Sequence, residues 1–311
     1  MTLSKYIYQY RSRDEERSLC QLEQRSFFNM STDAANLESS IRVDPSRSPF
    51  IRARIDVLFE SETVDGLAEK VKGLRIRDST FKVFFVKNDD EPSFLHSEER
   101  TSLARRIGLI IDGEADLDEP ELKLALMHVN GRWVFGRYYT NEAVWLRHRK
   151  KPQQFSTALS TRLARALVNI AVPDPSGKTV IDPCCGVGTV LIEALSMGID
   201  IVGSDWNWIV VQSARENLAH FGYRCDVTRR AIEEIEERYD VAIIDLPYNI
   251  CHVTTQENRR TIIFSARSIA DRVVFVNTDI PDSVFLEAGF TIVDRCVAPK
   301  GSLKRQILVC E

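Results

Sequence analysis

The 311-residue sequence has no apolar run that approaches the roughly 20 residues that a membrane-spanning helix needs. Its first residues also lack the charged start and apolar stretch of a secretory signal. From these two absences we expect no membrane partner, and the cysteine pattern described next favours a cytoplasmic protein.

Cysteine and histidine are both scarce, and neither is arranged for cross-links or metal. The seven cysteines are scattered, and only Cys184 and Cys185 are adjacent. Adjacent cysteines make a poor disulfide or metal pair. The five histidines show no metal-ligand spacing. We therefore expect reduced thiols and no metal site.

An excess of positive charge is also absent. The 41 Lys and Arg residues are outnumbered by 45 Asp and Glu residues, which gives a formal charge of −4. Because phosphate contacts need cations, this balance is mild evidence against a nucleic-acid partner. The charge is uneven, however, since residues 147–151 read Arg-His-Arg-Lys-Lys. We expect any RNA contact to include that basic stretch.

What is present is an alternation of short apolar runs and helical patterns in the C-terminal half, which predicts a doubly wound α/β domain. Two last runs flank a turn-rich spacer and predict an antiparallel hairpin at the end of the sheet. Asn130-Gly131 predicts a hairpin in the other half. The predicted strands of the C-terminal half cover residues 179–181, 199–203, 225–227, 241–244, 272–277, 290–298 and 303–310, and its helices cover 188–197 and 208–221.

The first motif is Val180-Ile-Asp-Pro-Cys-Cys-Gly-Val-Gly-Thr189, between a predicted strand and a predicted helix. Gly186 and Gly188 permit a tight turn that a ligand can approach closely. A Gly-x-Gly turn alone is a weak signal, because many such turns only pack. The Lys-Ser/Thr ending of a phosphate loop and the third glycine of a dinucleotide fold are both missing.

The second and third motifs also follow predicted strands. Asp205, in Gly203-Ser-Asp-Trp-Asn207, can accept hydrogen bonds from both hydroxyls of a ribose, and Trp206 can pack on an adenine. Asp245, in Asp-Leu-Pro-Tyr-Asn249, can accept the N–H bonds of an exocyclic amine and orient its lone pair. Each motif has a plainer interpretation, namely a helix cap beside a core Trp and a turn that ends a strand.

Together, these motifs resemble motifs I, II and IV of the class I S-adenosylmethionine-dependent methyltransferases. More narrowly, they are similar to the archaeal and eukaryotic tRNA guanine-N2 methyltransferases, which carry a THUMP domain before the catalytic domain. Residues 155–170 resemble the motif X helix of that family. Three further segments, residues 80–84, 106–110 and 116–122, look like parts of a divergent THUMP domain.

The resemblance implies a fold and an organisation in domains. The expected fold is a Rossmann-like class I methyltransferase sheet with a C-terminal antiparallel hairpin, preceded by a smaller α+β THUMP-like domain. We expect a ferredoxin-like flank over residues 1–50, the THUMP-like RNA-binding domain over 51–145 and the methyltransferase domain over 146–311. The implied partner is tRNA or another RNA, and an activator protein or a homo-oligomer is compatible with the acidic chain.

The resemblance also implies a role for each matching residue. The target base would be received by Asp245, Leu246, Pro247 and Tyr248. The cofactor S-adenosylmethionine would be bordered or held by Phe155, Ser156, Asp182, Cys185, Gly186, Gly188, Thr189, Asp205 and Trp206. The family usually has Asp-Pro-Pro-Tyr, so Leu246 departs from its pattern, although a leucine carbonyl still accepts a hydrogen bond.

Two further hypotheses stay open at this point: a methyltransferase for another amino nitrogen, and a non-catalytic protein. DNA adenine-N6 and protein glutamine-N5 methyltransferases use related Asp/Asn-Pro-Pro-Tyr loops. The THUMP-like half and the Asp at 245 favour RNA guanine over both. A non-catalytic RNA-binding module that has kept the fold is the third hypothesis, and the acidic balance and Leu246 leave room for it.

Overall fold

The computed structural model describes residues 5–91, 95–156, 158–247, 256–300 and 303–311, without the side chains of Lys300 and Leu303. Its elements, in chain order, are β1 (Tyr6–Tyr10), α1 (Arg17–Phe28), β2 (Asn36–Ser39), β3 (Ile51–Ser61), α2 (Val64–Val71), β4 (Phe81–Phe85), α3 (Ser97–Gly108), β5 (Leu122–Val129), β6 (Arg132–Thr140), α4 (Trp145–His148), α5 (Thr161–Ala171), β7 (Val180–Asp182), α6 (Thr189–Ser196), β8 (Ile201–Asp205), α7 (Trp208–His220), β9 (Val227–Arg229), β10 (Tyr239–Asp245), α8 (Gln256–Ile269), β11 (Ala270–Asn277), α9 (Asp282–Glu287), β12 (Ile292–Lys300) and β13 (Leu303–Cys310).

The chain forms two compact units. Unit 1 contains Met1–Arg11, Thr32–Ser46 and Phe50–Glu142, and unit 2 contains Ser12–Ser31, Arg47–Pro49 and Ala143–Glu311. Helix α1 therefore belongs to unit 2, although it lies within the first 50 residues. The division of the sequence at residues 50 and 145 stays a prediction.

Unit 1 is built on a six-stranded sheet of order β2-β1-β3-β6-β5-β4. Its strands pair antiparallel except for β4 and β5, which run parallel. The hairpin predicted at Asn130-Gly131 is confirmed, since both residues have positive φ (50° and 73°), as a type I′ turn requires. Helices α2 and α3 bury Leu67 and Ile107 against the sheet. Unit 1 is thus an α+β structure.

Unit 2 is built on a seven-stranded sheet of order β12-β13-β11-β10-β7-β8-β9. The five strands from β11 to β9 run parallel, and β13 is antiparallel to both of its neighbours. The predicted C-terminal hairpin is therefore confirmed as β12 and β13. Because helical crossovers join parallel strands, we expect helices on both faces of this sheet.

Burial along β10 shows that both faces of the sheet are covered. Ala242 and Ile244 belong to a core shared with α8 and α9, while Val241 and Ile243, which point the other way, are buried as well. This pattern is typical of a doubly wound α/β domain. None of the helices in the described part of the chain is long and apolar enough to cross a membrane.

Several sequence-based boundaries in unit 2 were wrong by two residues or more, and the strands predicted at 199–203 and 290–298 cover Ile201–Asp205 and Ile292–Lys300. The helix expected over residues 155–170 begins only at Thr161, because the Ser160 side chain caps it by accepting from the Leu163 N–H at 3.3 Å. The third strand covers Val227–Arg229 rather than 225–227. Its short length and its position at the sheet edge leave little apolar pattern by which to locate it.

Candidate active site

Three carboxylates follow three neighbouring strands of the unit 2 sheet. Asp182, Asp205 and Asp245 are the last residues of β7, β8 and β10, which lie side by side in the order β10-β7-β8. These strands are parallel, so the three residues lie at one edge of the sheet. Ligands of open α/β sheets bind at this carboxyl edge.

The glycine turn after β7 leaves room for a ligand. Gly186 and Gly188 both have positive φ (51° and 79°), a conformation that side chains other than glycine rarely adopt. A Cβ added at Gly186 would meet open space, whereas one at Gly188 would come within 3.2 Å of the Ala214 Cβ. Gly186 therefore faces outward, and Gly188 permits close packing of α7.

Asp205 links the end of β8 to the glycine turn. One carboxylate oxygen accepts from the Gly186 N–H at 3.1 Å, and the other accepts from the Asn207 N–H at 2.9 Å. The Cys185 N–H donates to the Ser204 carbonyl at 2.9 Å. These bonds hold the first and second motifs together, and each carboxylate oxygen keeps a lone pair for a further donor such as a ribose hydroxyl.

The pKa is raised for two of the acids at this edge, Asp182 and Asp205. Burial raises the pKa of Asp182 well above its usual value. The hydrogen bond from the Cys184 N–H lowers this pKa, whereas the negative charges of Asp205 and Asp245 raise it further. Burial likewise raises the pKa of Asp205. A cationic ligand beside these groups would relieve the repulsion and favour their charged forms.

Of the two adjacent cysteines, Cys185 is buried and Cys184 is partly exposed. Burial, and then the charge of Asp182, raises the pKa of both Cys184 and Cys185 well above the usual value. Such thiols are poor nucleophiles, because the thiolate is the reactive form. Six cysteines of the described residues are free, and no group of three or more metal-type side chains occurs among those same residues.

The loop after β10 is held to the sheet at its first residue. Leu246 is buried in the core, and its N–H donates to the Val276 carbonyl of β11 at 3.0 Å. Asp245 and Pro247 are partly exposed beside it. Tyr248, which we expect to stack on the base, lies outside the described residues.

The remaining predicted cofactor residues differ in exposure. Trp206 and Phe155 are 72% and 44% exposed, and Ser156 is exposed too. Thr189 is buried at the start of α6, and its hydroxyl has no hydrogen-bond partner within the described part of the chain. Exposed aromatic faces and a buried hydroxyl without a partner are both features that a bound ligand can satisfy.

Asn217 is a residue of this region that sequence reasoning missed. It is fully buried on α7, and its side chain bonds both the backbone of Gln153 and the Val187 carbonyl of the glycine turn. Its signal in the sequence was a polar residue among the buried positions of α7, next to Leu218 and one turn after Ala214.

The basic stretch at residues 147–151 is only partly a surface. Arg147, Arg149 and Lys150 are exposed, as RNA contact would need. His148 is buried instead, with Nδ1 2.8 Å from the Glu193 carboxylate, and Lys151 is buried with a pKa that burial lowers. RNA contact through this stretch stays a prediction, and it is limited to these three exposed side chains.

The sheet of unit 2 has the Rossmann-like fold of class I methyltransferases. Its strand order, the antiparallel strand β13 and the glycine turn after β7 together define that fold. Comparison with protein families agrees with this assignment. Residues 147–265 match the UPF0020 family model, described as an RMKL-like methyltransferase domain.

Curated relatives carry more specific names. The chain is 33% identical over 170 residues to a tRNA (guanine(10)-N2)-dimethyltransferase of Methanothermobacter thermautotrophicus, covering 50% of this chain and 49% of that one. It is 26% identical over 174 residues to the protein of the same name from Pyrococcus abyssi, covering 54% and 51%. The chain thus spans about half the length of the curated relatives it matches.

Among solved structures, the chain is similar to TrmN from Thermus thermophilus. The two are 16% identical, the match covers 99% of each chain, and the TM-score is 0.49.

Proposed function

We propose that the protein is an S-adenosylmethionine-dependent methyltransferase that modifies the exocyclic N2 of a guanine in tRNA. The observation that carries this proposal is the position of Asp245 on β10, next to the strand that leads into the glycine turn. Asp245, the proposed acceptor for the target amine, thereby lies beside a glycine turn that suits a nucleoside. The names of the relatives support guanine N2 and tRNA.

The residues at the sheet edge fit the proposed cofactor. Asp205 has acceptor capacity for ribose hydroxyls, and Trp206 offers an exposed ring to the adenine. Gly186 faces open space, and the buried Thr189 hydroxyl can bond a polar group of the methionine portion. The acids of the three strand ends suit a cation. When bound, S-adenosylmethionine supplies a methyl group already activated on its sulfonium.

In the proposed mechanism, the chain positions the amine and supplies electrostatics. The Asp245 carboxylate accepts an N–H of the guanine amine, and the carbonyl of Leu246 or Pro247 accepts the other. Both bonds withdraw the amine lone pair from the ring and orient it for attack. The sulfur would keep the electron pair of the broken C–S bond and leave as S-adenosylhomocysteine, and the proton that the methylated amine loses would pass to the Asp245 carboxylate or to water. Tyr248 is proposed to stack on the base. Extruding that base from the RNA costs a few kcal/mol of unstacking.

Further parts of the assignment extend the proposal. We assign RNA contact to the THUMP-like residues 51–145 and to the exposed Arg147, Arg149 and Lys150. The free cysteines are consistent with a cytoplasmic protein. Whether activity requires an activator protein or a homo-oligomer is a separate question to test. Activity restored by a cell extract would support an activator, and specific activity that rises with concentration would support self-association.

The test is methyl transfer from labelled S-adenosylmethionine to unmodified tRNA transcripts, followed by nucleoside analysis. We expect labelled N2-methylguanosine, and the names of the relatives direct the mapping to guanine 10. Asp245→Ala should reduce the rate at least about 100-fold. Asp200→Ala is the matched control, because Asp200 is exposed and precedes β8 at its opposite end.

Each other result has a defined meaning. Label in DNA N6-methyladenine or in protein N5-methylglutamine would replace the proposed substrate by one of the alternatives. Cofactor binding without transfer to any RNA would favour the non-catalytic RNA-binding module. Equal rates for the two aspartate variants would remove Asp245 from the mechanism.

A further inference from the structure

Residues 149–156, here called the strap, connect α4 to the segment before α5 and include Phe155 and Ser156. The strap is folded on itself, since the Gln154 side chain donates to the carbonyls of Arg149 and Lys151, both at 3.2 Å. The resemblance of residues 155–170 to the motif X helix, which covers the methionine end of the cofactor in that family, implies that Phe155 and Ser156 border this end. What holds the strap therefore also sets the shape of the cofactor site.

Asn217 joins the strap to the glycine turn through three hydrogen bonds. Its Oδ1 accepts from the Gln153 N–H at 2.8 Å, and its Nδ2 donates to the Gln153 carbonyl at 2.9 Å and to the Val187 carbonyl at 3.0 Å. The side-chain amide thus uses both of its N–H groups and one oxygen lone pair. Val187 lies between Gly186 and Gly188, at the centre of the turn.

The setting makes this connection rigid. Asn217 is fully buried, so water does not compete for its bonds. Only Gln154 lies between Gln153 and Phe155, so a displacement of the Gln153 backbone also displaces Phe155. None of these three bonds involves Asp205 or Trp206, which the proposed function assigns to the nucleoside half of the cofactor.

We propose that Asn217 is a positioning residue that fixes the strap against the glycine turn and so shapes the part of the site that takes the methionine half of S-adenosylmethionine. The inference rests on the proposed function for the identity of the cofactor. It assigns no contact between Asn217 and the cofactor. The expected signature is a loss of affinity that depends on the amino-acid portion of the ligand.

The test compares S-adenosylhomocysteine with adenosine, which lacks the amino-acid portion, by calorimetric titration of the full chain. Asn217→Asp keeps the acceptor and the shape but replaces both donors by a carboxylate oxygen facing two carbonyls. We expect its dissociation constant for S-adenosylhomocysteine to rise at least about 10-fold, with adenosine affinity within about 2-fold of wild type. Gln153→Ala is the control, because it removes only the side-chain bond to Glu216 and keeps the backbone bonds.

Asn217→Ala, which introduces no buried charge, serves where Asn217→Asp does not fold, and we expect the same selective loss. Equal losses for both ligands, or no loss, would overturn the positioning role while leaving the proposed function intact. Failure of both variants to fold would assign Asn217 to the core and also overturn it. A wild-type chain that binds neither ligand would instead remove the proposed function, and this inference with it.

Discussion

The N–H of Leu246 donates to the carbonyl of Val276, at 3.0 Å, and so extends the pairing of β10 with β11 by one residue beyond Asp245. A proline at 246, which the related Asp-Pro-Pro-Tyr motif has there, cannot donate this bond. The leucine is therefore part of the sheet, and its buried side chain is part of the core.

Changing Leu246 to the proline of the related motif should destabilise this protein. Leu246→Pro loses the N–H and leaves the Val276 carbonyl without it, while Leu246→Ala loses the side chain but keeps the bond. We expect the proline variant to be less stable than the alanine variant by about 1–3 kcal/mol in urea unfolding. Equal stability of the two variants would show that the bond contributes nothing measurable.

Cofactor affinity should depend on pH through Asp182 and Asp205, the last residues of β7 and β8. Burial raises the pKa of Asp182 and Asp205, so each holds its proton to a higher pH than an exposed carboxyl group. A bound cation favours the charged forms, so binding releases protons, and the affinity falls as pH drops through the raised pKa values. Titration calorimetry in buffers of different ionisation enthalpy measures this release. Asp182→Asn should reduce it, and unchanged proton release in that variant would contradict the assignment.

Glu23, another buried acid, should make the stability of the protein depend on pH. Burial raises the pKa of Glu23 to about 7, against hydrogen bonds from Ser48 and from Asn169, whose Nδ2 lies 2.7 Å from the carboxylate. A raised carboxyl pKa gives stability that is present below about pH 4.5 and is lost as pH rises through about 7. The shift corresponds to roughly 3 kcal/mol between the two limits.

Glu23→Gln should remove this dependence. The difference in unfolding free energy between wild type and Glu23→Gln should move in favour of the variant between pH 5 and pH 8. Urea unfolding at several pH values measures it, and Glu15→Gln, a change at an exposed position, gives the background. A constant difference across this range would mean that Glu23 titrates as an exposed carboxyl group does.

The buried charged side chains around Glu193 should be sensitive to the loss of its negative charge. Glu193 faces Arg165, at 2.7 Å, and His148, at 2.8 Å, and all three side chains are buried. Glu193→Gln removes the negative charge that faces the buried Arg165 guanidinium at 2.7 Å, and breaking such a buried ion pair costs about 3–5 kcal/mol. Glu216→Gln, at an exposed position on α7, should stay within about 0.5 kcal/mol of wild type. Similar chemical denaturation midpoints for the two variants would contradict the prediction.

Local patterns were sufficient to predict the C-terminal sheet and the acids at its edge. Gly186 and Gly188 mark a turn, and apolar runs that end in Asp182, Asp205 and Asp245 mark strands whose ends must meet if the strands are parallel. The roles of these residues toward cofactor and base stay predictions. The same patterns could not separate the exposed from the buried members of the 147–151 stretch.

The contacts that sequence reasoning missed join residues far apart in the chain. Asn217 bonds Gln153 across 64 positions, and Arg25 of α1 forms two bonds of 2.8 and 2.9 Å with Asp294 across 269 positions. A single sequence carries no periodicity at such separations. The membership of α1 in unit 2 and the anchoring of the strap were therefore visible only in three dimensions.

The same membership of α1 has a consequence for biosynthesis. Glu23 and Arg25 bond Asn169 and Asp294, which the ribosome adds only after all the strands of unit 1. While unit 1 is translated, the parts of unit 2 against which the apolar side chains of α1 pack have not yet been synthesised. We therefore expect a nascent chain halted at residue 145 to expose Leu19, Leu22 and Phe27 to chaperones. In the complete folded chain these side chains are buried.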